Sequence, residues 1–402
     1  VHRNAIIGFL GSAILAVTAA WFIQSPRAQA LDVRLAGRDS VLFDTAINAC
    51  DDSHLPDAPA RAFRDGEGRM VLFAPNFRNR AFVGQNLENL HKDCNSRFKA
   101  AGKADPGLLD DRTWLHAIYT NDGETVYALG SASFMPYRHD MPCKGATQRT
   151  DCWINGLVTL KSTDGGRHFT YQAQPPHHAP FPPPMAYRDD RKHAPSYVTA
   201  TNIVRWKDYL YTILWRRGVD FKSSRNCLAR AHVDDPRSWQ LWNGKKFVDA
   251  ARLTPHNGWE VYQTDCARVG PYGLTSIRGI VRHEASNSFI AVYKHRRKHK
   301  DGSFEHGIYY STSKDMITWS MPRLLLSADL KPDAGPGDSY VAYPSIIDED
   351  SKDRIFGTVD DQASLLYVKF VPVKRNGKWG MTRQLMRQPI RFINDAKQGA
   401  NP

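Results

Sequence analysis

Six cysteines, fifteen histidines, a dense block of cations and ten tryptophans are the residues whose types could do chemistry in this 402-residue chain. The cysteines show no C-x-x-C or H-x-x-x-H spacing of the kind that tetrahedral zinc needs, so they read as disulfides. Nearness in sequence selects Cys143 with Cys152, across a short polar loop, then Cys50 with Cys94 and Cys227 with Cys266. His177-His178 and His193 could ligate a metal, but nothing in their spacing fixes a ligand geometry, and neither metal nor other cofactor is expected. Lys294-His295-Arg296-Arg297-Lys298-His299-Lys300 is the densest basic run. Placed in a turn, it reads as a solvated loop or as a rim for acidic polysaccharide, lipopolysaccharide or phospholipid headgroups. Trp114, Trp206, Trp215 and Tyr211 could stack on sugar faces or, in strands, pack as core.

The composition bounds what can position these residues. Hydrophobic residues at 42% and charged residues at 24% exclude wholesale disorder. The aromatic content of 11%, with 24 Pro and 28 Gly, suits a loop-rich β protein better than a helical bundle. His2-Arg3-Asn4, the apolar run Ala5 to Ile23 and Ala28-Gln29-Ala30 read as a secretory signal over 1–30, leaving one domain over 31–402. A secreted or periplasmic bacterial chain follows from that reading, and disulfides suit such a compartment. Nucleic acid is excluded as a partner despite the formal charge of +13, and a monomer is expected. Membrane contact would come only through an uncleaved signal or the basic loop.

A weak internal repeat organises the domain. Five segments share a small or polar start, an apolar strand, a turn rich in Gly, Asp or Asn, and a second apolar-aromatic strand: Asp57–Pro75, Asp111–Leu129, Val198–Arg216, Leu274–Lys294 and Tyr340–Val359. Each reads as a β-hairpin. A third strand follows several of them, at Gly156–Phe169, Cys227–Trp242 and Gly307–Trp319. A unit of three or four strands repeated about five times is what a β-propeller requires. Anchors at Pro59, Trp114, Asn202, Ser276 and Pro344 lie 55, 88, 74 and 68 residues apart, which implies insertions at one face, notably Pro175–Pro184. The expected fold class is therefore all-β, a five-bladed β-propeller.

Ser162-Thr163-Asp164-Gly165-Gly166-Arg167-His168-Phe169 fits the Asp-box pattern S-x-D-x-G-x-x-(F/W), and Ser311–Trp319 is a degenerate relative. The Asp accepts N–H bonds of a tight turn, the glycines take positive φ and the aromatic packs beneath. These segments, with Ala342-Tyr343-Pro344-Ser345-Ile346-Ile347-Asp348, resemble the five-bladed propellers of secreted glycoside hydrolases of the arabinanase, xylosidase and fructosidase type. The Asp box is similar to that of six-bladed sialidases. More closely, Pro56–Asp65, Asp111–Leu129, Ser162–Phe169 and Asp235–Phe247 resemble a group of exported bacterial proteins that has no settled activity.

The resemblance implies a site in a central funnel, facing the residues that open the innermost strands. Asp57 matches the position of the base or nucleophile, and Asp111 is the substitute for the acid, since Thr201-Asn202 and Thr275-Ser276 stand where the resembled enzymes carry their other carboxylates. Arg61, Trp114, Asn202, Arg278 and Tyr343 are the implied sugar contacts. The implied ligand is an oligo- or polysaccharide, anionic if the basic surface takes part. Hydrolysis and non-catalytic glycan binding or cell-envelope interaction on the same scaffold both remain open. The Ile-Pro that follows Phe-Arg in sialidases is absent after Phe63-Arg64, which argues against that activity.

Overall fold

The computed structural model describes residues 31–393 apart from 149, 191, 221, 254–260, 264–265, 271–274, 332–333, 336 and 376, with backbone alone for 251–253, 261–263 and 375. The expected signal over 1–30 and Leu274 of the fourth expected hairpin lie outside the described residues.

Five antiparallel sheets follow one another along the chain, and their first strands converge on one centre. Blade 1 is Arg61–Arg64, Met70–Phe73, Ala81–Gly84 and His91–Asp93. Blade 2 is Arg112–Thr120, Val126–Phe134, Ile154–Ser162 and Thr170–Tyr171. Blade 3 starts on an interrupted inner strand, Ser196–Ala200 and Val204–Trp206, and continues through Tyr209–Arg217, Arg225–His232 and Asp235–Trp242. Blade 4 is Ile277–His283, Ser288–Lys298, Phe304–Ser313 and Arg323–Ser327. Blade 5 is Tyr340–Ile347, Gln362–Arg375 and Lys378–Ile393, completed by Asp32–Leu35 and Ser40–Asp44 from the start of the domain. Pairing of the first strands with the last, Asp32 opposite Ile393, closes the ring within one sheet. Closure covers the outer edge of Lys378–Ile393 with two short strands and ties the start of the domain to its end.

The fold is thus the expected five-bladed propeller, and the first four expected hairpins coincide with inner strand pairs. The fifth differs. Tyr340–Ile347 pairs with Gln362–Arg375, whereas Thr358–Val359 runs parallel to the inner strand of blade 4, Arg282 opposite Thr358. The intervening turn is held by Asp348 and Asp353, whose carboxylates accept the N–H groups of Asp350, Asp360, Ile355 and Gly357. Those bonds make a compact loop of a segment that local patterning presents as a second strand. Pro175–Pro184 runs back along blade 2, where Leu157 and Thr159 donate to the carbonyls of Phe181 and His178.

The blades are riveted by local devices. Asp164 accepts the N–H groups of Arg167 and His168 at 3.0 and 2.9 Å. Gly166, at φ +76°, lies so close to Phe63 of blade 1 that a Cβ would stand 2.6 Å from its ring. All three expected disulfides form, Cys50–Cys94, Cys143–Cys152 and Cys227–Cys266.

Three asparagines clasp the next inner strand through both ends of their amides. Asn79 accepts from the Leu115 N–H at 2.8 Å and donates to the Thr113 carbonyl at 2.8 Å. Asn226 does the same to Ile277 and Thr275, and Asn202 to the N–H and carbonyl of Ile280. Four of the five inner strands carry a register slip, between Leu115 and Ala117, Tyr197 and Thr199, Ile277 and Gly279, and Ala342 and Ser345. Such a bulge leaves the extra residue unpaired and turns its side chain out of the regular alternation. The residues so released are His116, Val198, Arg278 and the pair Tyr343-Pro344, with Tyr343 at φ +57°.

Asn79 has no exposed surface, so its removal leaves the Leu115 N–H unpaired in the core. Asn79→Ala is expected to lower the unfolding free energy by about 3 kcal/mol. A urea midpoint equal to that of the unsubstituted chain would contradict this account of the blade 1–2 joint.

Candidate functional site

The inner strands meet on Arg61, which is 2% exposed. Its guanidinium donates to the Ala60 carbonyl at 3.0 Å, the His116 carbonyl at 2.5 Å, the Ala200 carbonyl at 3.3 Å and the Arg278 carbonyl at 2.6 Å. These oxygens belong to blades 1, 2, 3 and 4. The hydrogen-bond partners of the guanidinium are thus all carbonyls. Burial, reinforced by the Arg278 charge, pulls Arg61 down to about 9, which leaves it protonated at neutral pH.

Around this point stand the residues that the bulges release. His116 is 7% exposed, and its Nδ1 lies 2.8 Å from the Thr199 hydroxyl. Burial and the neighbouring Arg61 and Arg278 hold its imidazole well below the usual histidine range, hence neutral. Arg278 is half-buried, and its guanidinium makes no hydrogen bond or ion pair among the described residues. Burial lowers its pKa as well. Lys294, half-buried in the second strand of the same blade, is pulled to about 8 by burial, then by Arg278 and Lys331.

Tyr343 connects this group to a carboxylate. Its hydroxyl donates to Asp57 Oδ1 at 3.4 Å, and Arg383 Nη1 donates to the same oxygen at 2.6 Å and to the Pro56 carbonyl at 2.9 Å. The Asp57 side chain keeps 27% exposure. Burial and the Asp57 charge raise the Tyr343 hydroxyl far above its ordinary value, so it stays protonated. Arg383 itself lies over the Phe370 ring at 4.7 Å. Among the described residues, the charges that act most on this cluster are those of Arg61, Arg278, Lys331, Arg383 and Asp57.

The remaining expected residues have other surroundings. Asp111 has no exposed side-chain surface. It accepts from the Met135 N–H at 3.1 Å, pairs with Arg138 and lies 3.2 Å from His139 Nε2, which fastens the loop after the second strand of blade 2. Asn202 spends its amide on Ile280 of blade 4. Trp114 is half-buried and edge-on to Phe77 at 6.3 Å, and its indole N–H finds no partner among the described residues. Arg112 lies over the same Phe77 ring at 4.0 Å. The basic run is mostly strand, through Lys298, with its turn beginning only at His299. No cluster of three or more His, Cys, Asp or Glu side chains that could hold a metal occurs among the described residues.

Sequence reasoning missed His116 and Arg383. Arg383 comes from the last strand, 326 residues from Asp57, and no local pattern marks it. His116 sits in a regular-looking apolar strand, where only the bulge turns it inward. Lys294 was visible as the first residue of the basic run but not as a neighbour of Arg278.

No protein-family model matches the chain, and no curated protein matches it. Among solved structures, it is similar to an endo-arabinase from Bacteroides thetaiotaomicron, with 12% identity over 87% of this chain and 97% of that one, at a TM-score of 0.45. A sucrose-6-phosphate hydrolase from Lactobacillus gasseri shares 12% identity over 82% of this chain and 58% of that one, at a TM-score of 0.45. An N-acetylgalactosamine deacetylase from F. plautii, in complex with blood group B trisaccharide, shares 12% identity over 86% of this chain and 92% of that one, at a TM-score of 0.43. At such identities no residue role transfers to this chain.

Arg61→Met would remove the one donor shared by carbonyl oxygens of four blades. A loss of about 3 kcal/mol or more in unfolding free energy is expected, read from denaturant unfolding. An unchanged midpoint would mean that water replaces the guanidinium without cost.

Proposed function

We propose that this is an exported, glycoside hydrolase-like propeller protein that receives part of an acidic oligo- or polysaccharide in a funnel above Arg61. The observation that supports this most is Arg278, a half-buried guanidinium without a counter-ion among the described residues. An unpaired charge held away from water is costly, and a ligand carboxylate or sulfate would satisfy it, in bidentate fashion for a carboxylate. Lys294 supplies a second positive charge close by. The neutral imidazole of His116 and the protonated hydroxyl of Tyr343 suit sugar hydroxyls, and the unpartnered indole of Trp114 suits a sugar face or oxygen. Three disulfides fit an oxidising, extracytoplasmic location.

Recognition stands ahead of hydrolysis for a specific reason. Glycosidases use two carboxyl groups, about 5–5.5 Å apart for retention or about 6.5–9.5 Å for inversion. Asp57 is the described carboxylate in contact with Tyr343, while Asp111 is enclosed by Arg138 and the Met135 N–H. Hydrolysis is the second reading, carried by the partial exposure of Asp57 and by Arg383, which holds it in place as a candidate base.

Two measurements test these readings. Retardation in gels containing acidic polysaccharide is expected, with little in neutral gels, and Arg278→Met should weaken it roughly tenfold or more. Equal retardation of the variant would remove Arg278 from the site. In parallel, sugar release that Asp57→Asn abolishes would establish hydrolysis, whereas binding without release supports recognition alone.

The pH dependence has a definite sign. Lys294 is charged below about 8 and neutral above it, so affinity for an acidic saccharide should fall as pH rises from 7 to 8.5, a window that ends below the value of about 9 for Arg61. Lys294→Met should flatten that profile. In the free protein the same lowered value means that the charged form is disfavoured on folding. The stability contribution of Lys294 therefore rises with pH between about 8 and its ordinary 10.5. An affinity independent of pH over this window would exclude Lys294 as a contact.

A further inference from the structure

Two strand pairs outgrow the ring on the same side. In blade 4, Ile277 begins the inner strand opposite Tyr293, yet Lys294–Lys298 continue paired to Ile308–Phe304. In blade 5, Tyr340 begins the inner strand opposite Phe370, yet Val371–Arg375 continue paired to Thr382–Lys378. Each arm therefore runs five residue pairs past the start of its inner strand, roughly 16 Å at the usual strand rise. The blades are adjacent, so the arms stand side by side above the end of the ring that carries Arg278 and Tyr343.

Their composition is unusual. The blade 5 hairpin, residues 362–393, contains seven Lys and Arg and no Asp or Glu. Over its outgrown part, Trp379 is 55% exposed and Met381 42% exposed. They share one face, because Trp379 pairs with Lys374 and Met381 with Pro372. Beyond Lys294, the blade 4 arm carries Arg296, Arg297, Lys298 and Lys300 against Asp301 and Glu305. Glu305 is already taken by Arg297 at 2.9 Å, and Asp301 caps the Ser303 N–H. At its tip Phe304 is 42% exposed beneath Arg296. Each arm thus presents an exposed aromatic with a cation over its ring, Arg296 on Phe304 at 3.7 Å and Lys374 on Trp379 at 5.8 Å.

We propose that the two arms dock this end of the propeller on an anionic lipid surface. Cations gain from the surface potential of acidic headgroups, and Trp, Phe and Met at the tips enter the headgroup–acyl boundary. Neither contribution needs a shaped pocket, which fits tips that are exposed on two-stranded ribbons. A soluble polyanion would use the cations and, even with a sugar face stacked on Trp379, would leave Met381 in water. The surface stands independently of the funnel reading. If both hold, the glycan in the funnel is one displayed on the same lipid surface.

Co-sedimentation of the full chain with phosphatidylcholine vesicles, with and without phosphatidylglycerol, tests the docking. Binding only to the anionic vesicles, weakening with salt, is expected. Each lysine near the surface is worth about fivefold, so Lys374→Gln/Lys378→Gln should weaken binding roughly 25-fold. Trp379→Ser should weaken it further, in a way that added salt does not mimic. Both variants alter exposed residues and should melt like the parent. Arg278→Met should bind vesicles normally, and the arm variants should keep their retention of short acidic oligosaccharides, so either reading can fail alone. No binding to anionic vesicles at low salt, or binding indifferent to the arm substitutions, overturns the docking. So does a loss of polysaccharide retention in the arm variants with vesicle binding intact, which would assign the arms to the glycan.

Discussion

One guanidinium, that of Arg61, sets the geometry on which the centre depends. Inner strands of a propeller radiate from an axis where their backbones approach too closely for side chains from all of them. Some carbonyls there have no ladder partner, and a cation with several planar donors satisfies oxygens from blades 1 to 4 at once. The cost is a buried charge without a carboxylate, which shows as the lowered pKa of Arg61. The carbonyls of His116 and Arg278 are two of its four acceptors. The same bonds that hold the ring therefore fix the backbone of the bulges that turn those two side chains out of their strands.

From the centre outward, order is passed between blades by bonds to backbone. The amides of Asn79, Asn202 and Asn226 each read an N–H and a carbonyl on the neighbouring inner strand. Because backbone is read, neighbouring strands keep register whatever side chains they carry, and the bulge positions are free to vary in chemistry. The outer strands of blade 5 come from the start of the domain, so this chain of contacts closes on itself.

The charge distribution gives the site its character. Arg61 sits at the centre, Arg278 and Lys294 lie near one another, Arg383 braces Asp57, and the two arms carry further cations. A field of one sign over a half-buried surface attracts anions from a distance and strengthens contacts once water is displaced. Asp57 is the exception, and its ion pair with Arg383 offsets it locally.

Features written within short stretches were legible in the residues themselves. Alternating apolar residues around Gly, Asp and Asn turns gave four of the five hairpins, Ser162–Phe169 gave a turn held by Asp164, and nearness gave the three disulfide pairings. These depend on local geometry, where residue type and conformation are tightly linked. The fifth hairpin failed because Asp348 and Asp353 tie the segment into a loop, and Thr358–Val359 then find an edge in another blade. Arg61, Asn202 and Asp111 could be placed at strand starts, but whether such a side chain meets ligand or backbone is decided by strands far away in sequence. The turn of His116 and Arg278 out of their strands, and the meeting of Asp57 with Arg383 across 326 residues, follow only from ring closure and bulged registers. Residue type along the chain set the hairpins, the turns and the net positive charge, whereas contacts between distant strands decided which charges gather at the centre.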